Sequence, residues 1–252
     1  MREDKMLAFH NKKEVKQFYL DRIKLHQELD EIHQGEYVNE KEKKYCAVGC
    51  TLHSSNHQSY ETELGIPVIL ARLEDKIFEG LPKHRMKTWP YEFISVIKIG
   101  ADLSGVWPKF AVWLLTDDKH GVLQYIKNQE QKTAINRVSD YYSRHKEITD
   151  QEWKNASDCA YPPSDWAYPP SDCASDWASN CAAAACAAAA YAAAYAASAA
   201  YAAAYAASAA ASAAYAAFAS NCAAACTADA KNRENYIIAQ ADKLLELLAK
   251  CE

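Results

Sequence analysis

The sequence predicts an all-α protein: a helical N-terminal domain, then a Pro-Pro heptad repeat, then a long Ala-rich helical segment. Three observations point there. Apolar residues recur at helical spacing and barely alternate at period two outside Ile97–Ile99. Gly and Pro fall where helices stop and start. The last third is dominated by Ala, the residue with the best helix propensity.

Residues 11–34 predict an amphipathic helix with Asn11 as N-cap and Gly35 just past the end. At helical spacing Val15, Phe18, Tyr19, Arg22, His26, Leu29 and His33 share one face, which makes His26 and His33 candidate binding residues. Next, "YCAVGCTLHSSNHQSYETELGIP" predicts a short helix, a Ser-Ser-Asn cap and a second helix ending at Gly65. Pro67 opens a further helix that closes at Gly80. Within it "RLED" (Arg72, Glu74, Asp75) is expected on a solvated face with local ion pairs. "WPYEFISVI" and "VWPKFAVWLL" each place Pro near a helix start, with Trp89, Trp107 and Trp113 as core anchors. The stretch from Thr133 to His145 closes this first domain, bounded at 10–150.

Composition then changes. Residues 156–180 form a connector in which "DCAYPPSDWAYPPSDC" repeats every seven residues. Its Pro pairs forbid one continuous helix, since each Pro lacks an N–H and restricts its predecessor. Residues 181–252 form the Ala/Tyr tail, uncharged between Trp177 and Ala228. The decad "YAAAYAASAA" occurs twice in succession, carrying Tyr191, Tyr195, Tyr201 and Tyr205. Ten residues fall ~80° short of three helical turns, so the Tyr stripe winds around the helix. Small Ala faces with Tyr between them suit close packing, and Tyr is favoured at interfaces. These four Tyr are candidate binding residues, with self-association through this segment as one expectation. A last helix, about 222–250, carries the stripe Ile237, Ala241, Leu244, Leu248 and Cys251.

The net charge of −5 argues against broad nucleic-acid binding. The N-terminus is too polar for a signal peptide, and the Ala run lacks the Leu, Ile and Val content of a membrane span. Nine Cys, an odd number, then imply reduced thiols and a cytoplasmic setting.

The sharpest chemical constellation is Cys46, Cys50, His53 and His57. Their types suit zinc, yet one straight helix would spread them over ~16 Å, so a shared ion needs the helix to break at Ser54–Asn56. Alternatively Cys50 with His53 makes the core of a cysteine-dependent hydrolase, because a neighbouring His activates a thiolate. The bland alternative is a helix packing small Cys and Ala inward. No P-loop, GxGxxG, HExxH or GxSxG is present. No cofactor is expected, zinc being the alternative.

The run "YCAVGCTLHSSNHQSYETELGIPVILARLEDKIFEGLP", followed by "VWPKFAVWLL" and an Ala-rich aromatic repeat, resembles a family of hypothetical proteins associated with phages and prophages. The resemblance implies no catalytic residue. It implies a mobile-element setting, in which a small accessory protein acts by binding and blocking a host factor. A non-enzymatic, protein-binding chain, directed at host defence, is the leading expectation, with a host or phage protein as partner.

Overall fold

The computed structural model describes residues 6–35, 38–39, 41–126, 129–143, 149, 152 and 230–252. The Pro-Pro repeat and the Tyr decads lie outside these residues. The described part is mostly helical, with one two-stranded sheet. It divides into two compact units, 1–107 with 241–252, and 108–240.

In the first unit α1 spans Lys13–Glu28, α2 Ala47–Leu52, α3 Val68–Gly80, α4 Lys83–Met86 and α5 Trp89–Val96. Two short strands, β1 (Val38–Asn39) and β2 (Lys44–Tyr45), pair antiparallel between α1 and α2. Helices α1, α2, α3 and α5 pack on one another around a core that includes Ile23, Leu70, Leu73, Phe78, Trp89 and Phe93. Pro67 caps the start of α3, as its fixed φ and missing N–H favour. The side chain of Lys16 crosses to α5 and donates to the carbonyls of Ser95 (2.7 Å) and Ile97 (2.5 Å) at that helix's C-terminal end. Its ammonium thus answers carbonyls that the helix leaves unbonded.

The start of α1 differs from expectation. Asn11 is not its N-cap, because Phe9, His10 and Asn11 all adopt left-handed backbone (φ 56°, 51° and 56°). Such geometry costs roughly 1–2 kcal/mol per residue outside Gly. Tertiary contacts offset it. Phe9 is fully buried, Ala8 exchanges backbone bonds with Ala101 (3.0 Å) and Gly100 (2.8 Å), and His10 Nε2 donates to the Thr62 carbonyl (3.1 Å). The end of α1 also comes early. Asp30 is left-handed (φ 57°), and Ile32 bridges to Tyr45. His33 therefore lies beyond the helix and shares no helical face with His26.

A short π turn, Tyr60–Leu64, ends at Gly65 (φ 63°), whose missing side chain lets the left-handed turn approach. A Cβ at Gly65 would stand 2.2 Å from the Leu7 carbonyl oxygen. Gly65→Ala should therefore lose roughly 2–5 kcal/mol, backbone strain and overpacking together. Gly35→Ala is the control: φ is again positive (96°), but nothing lies within 4 Å, so only the strain should appear. Urea unfolding of both variants checks this, and equal losses would contradict it.

The second unit contains the bulk of α6 (Val106–Thr116), a 3₁₀ turn at Val122–Tyr125, α7 (Gln129–Ser143) and the N-terminal half of α8 (Ala230–Ala249). An aromatic row runs from Phe110 to Trp113 (5.7 Å), His120 (5.6 Å) and Tyr236 (6.2 Å). Buried Ile237, Ala241, Leu244 and Leu248 reproduce four of the five positions expected of the last helix's stripe, whereas Cys251 is half-buried and lies past the helix end. Its C-terminal end, assigned above to the tail, belongs to the first unit, where Glu252 accepts from Asp102 N (2.9 Å) and Asp242 pairs with Arg85 (2.9 Å).

Candidate functional site

Cys46 caps α2, its sulfur accepting from Gly49 N at 3.3 Å, and Cys50 donates to the Ala47 carbonyl at 3.1 Å. Both thiols are buried. Desolvation, reinforced by the neighbouring Asp75 carboxylate at Cys46 and by Glu74 at Cys50, pushes both well above the usual thiol range. A nucleophilic cysteine needs the opposite environment, electropositive and partly open. The surroundings of Cys46 and Cys50 are those of packing thiols.

The helix breaks after Leu52, earlier than the Ser54–Asn56 break that a shared zinc site required. His53 takes a left-handed C-cap conformation (φ 56°). Even so, the two histidines turn to different partners. His57 Nδ1 faces the Ser55 carbonyl (3.1 Å) and its Nε2 faces Asp75 Oδ2 (3.3 Å), in the interior. His53 lies at the surface, where its Nε2 meets His26 Nε2 at 2.8 Å. Cys46, Cys50, His53 and His57 are thus not gathered around one point. Among the described residues no group of three or more His, Cys, Asp or Glu is placed to hold a metal ion.

The histidine pair has its own logic. His26 Nδ1 donates to Glu31 Oε2 at 2.8 Å, which fixes the ring, and Tyr45 lies against His26 at 4.4 Å and stacks on His53 at 5.6 Å. The His26 and His53 centroids are 5.0 Å apart, about the nitrogen separation plus the two ring radii, so the nitrogens meet head-on. That is the geometry of one N–H···N hydrogen bond between the rings. Two imidazoles on one ion would converge on it at an angle. His33 is bound locally, to the Asp30 carbonyl (2.9 Å).

Glu74 and Asp75 overturn the expectation of a solvated "RLED" face. Glu74 is fully buried and Asp75 nearly so, because α3 is apolar over most of its circumference and runs through the core. Tyr60 donates to Glu74 Oε2 (2.6 Å), and the Trp89 indole donates to the Glu74 carbonyl (3.1 Å). Burial holds the Glu74 carboxyl well above the usual carboxylate range.

This shift has a pH signature. A carboxyl raised in the fold contributes stability that is full below its unfolded value, 4.5, and is lost as pH rises through the folded value. Glu74→Gln removes the titration while keeping an acceptor for Tyr60. Its stability relative to wild type should therefore climb as pH rises from about 4.5, then level off. Denaturant unfolding of both proteins from acid to neutral pH tests this, and parallel curves would refute it.

The outer side of α1 presents a second feature, because the single face expected of that helix divides into buried and exposed positions. Tyr19, Ile23 and His26 are the buried positions, whereas Phe18, Leu25 and Leu29 are 54%, 53% and 55% exposed. At 100° per residue these three fall within an arc of ~40°. Arg22 lies in the same row. Its guanidinium stacks 4.5 Å from the Phe18 ring centroid and donates to the Thr51 carbonyl (2.8 Å) at the end of α2. The stripe is therefore braced from beneath and open above.

No protein-family model, curated protein or solved structure matches the chain. Among the described residues no helix is long and apolar enough to cross a membrane. Tyr191, Tyr195, Tyr201 and Tyr205 lie outside the described residues.

Proposed function

We propose that this is a non-enzymatic accessory protein of phage type that acts by binding another protein, with the outer face of α1 as the contact. The observation that carries the proposal is the row Phe18, Leu25 and Leu29, large apolar side chains left more than half exposed on one line of a helix. Large apolar side chains exposed together on one helix face and rimmed by charge mark interaction sites. Its heptad-like spacing suits a helical partner laid along it. The motifs that resemble phage and prophage proteins lead us to propose a host or phage protein as that partner, a host defence factor among them, in the cytoplasm of a bacterial host. Self-association through the Ala-rich segment belongs to the same proposal. The alternative of a cysteine-dependent hydrolase or zinc protein has less support, since the thiols are buried and held protonated.

The test is affinity capture from bacterial host lysate with the full chain, comparing wild type, Leu29→Asp and Lys24→Asp. Lys24 is exposed on α1 but lies ~120° from the stripe. Capture lost with Leu29→Asp and kept with Lys24→Asp is the expected pattern. A captured protein indifferent to Leu29 would refute the assignment.

A further inference from the structure

Resting on α1 as the docking face, we infer the partner's chemistry: an amphipathic helix with an apolar seam and a row of Lys or Arg along one flank. Position in the heptad carries the argument. Phe18 and Leu25 are seven residues apart, as are Arg22 and Leu29, so the exposed row has the alternating four-three spacing of a coiled-coil seam. Glu14, Asp21 and Glu28 are also seven residues apart and all exposed. They form a second row beside the seam, on its solvent side, at the positions that pair with charges on a neighbouring helix. The opposite flank is Tyr19 and His26, buried in the body of the protein. Only one flank of the seam is therefore open to charge pairing, and it is acidic.

Among the described residues little neutralises that row. Lys24 stands 3.9 Å from Glu28, with both side chains about two-thirds exposed, and Gln17 donates to Asp21. Arg22, the cation within the seam, is held by the Thr51 carbonyl and the Phe18 ring. A second copy of α1 would bring another acidic row to the same flank, and nucleic acid would bring phosphates, so both meet like charge. A basic flank is complementary. From Glu14 to Glu28 the row spans ~21 Å, about two heptads of partner helix.

Two synthetic three-heptad peptides with the same Leu seam, one flanked by Lys and one by Glu, test this against the full-length protein by fluorescence anisotropy. The Lys-flanked peptide should bind about tenfold or more tightly than the Glu-flanked one at low salt, with the gap narrowing as salt screens it. The double variant Asp21→Lys/Glu28→Lys should reverse the order. Equal binding of both peptides, binding of neither, or a preference unchanged in the double variant overturns the inference. Equal binding that Leu25→Asp abolishes leaves the docking face standing and removes only the basic flank. Binding indifferent to Leu25→Asp removes both.

Discussion

Trp89→Ala should destabilise the first unit by roughly 3–5 kcal/mol, the usual cost of truncating a large core aromatic. Trp89 opens α5 and is fully buried. Its ring lies 6.0 Å from Phe93, and its indole N–H satisfies the Glu74 carbonyl at 3.1 Å. The substitution thus removes packing and also a hydrogen bond to a carbonyl inside α3. Trp89→Phe retains an aromatic ring and loses the donor, so its loss should fall between wild type and Ala. Set against the 5–15 kcal/mol typical of whole domains, the Ala variant should show a strongly lowered urea midpoint. A loss under about 1 kcal/mol would mean that α3 and α5 do not share the core described above.

Much of this architecture was legible in the sequence because local signals and tertiary packing agree there. Pro67 and Gly80 bound α3 as expected, and the last helix buries the stripe its periodicity announced. The signals failed where tertiary contacts outweighed them. Asn11 has the chemistry of an N-cap, yet the clamp on Phe9 places it in a left-handed turn. The β1–β2 hairpin is only two residues per strand, too short to display alternation. The candidate site was half visible. The spacing of Cys46 to His57 stands out in the chain, but the groups that decide what those residues do come from elsewhere: Asp75 from α3, His26 from α1, Tyr45 from β2. Periodicity found the amphipathic character of α1 but joined buried Tyr19 and His26 to exposed Phe18 and Leu29 on one face, because an apolar residue carries the same signal whether it faces a core or a partner.

That ambiguity is why the second large effect concerns binding rather than folding. The double variant Leu25→Asp/Leu29→Asp should weaken the captured partner by ~10²–10³-fold, taking roughly 2 kcal/mol for each central interface residue. Both side chains are already more than half exposed, so the thermal midpoint should barely move. Isothermal titration and a thermal melt of the same sample separate the two quantities. A large drop in melting temperature would mean that these residues support the fold instead.

Site-specific photo-cross-linking in bacterial host cells addresses the docking face most directly. A photoreactive side chain placed at position 25 should give a discrete covalent adduct with another protein, while the same group at position 24 should not. Adducts of equal yield from both positions, or none from position 25, would contradict a binding role for the outer face of α1.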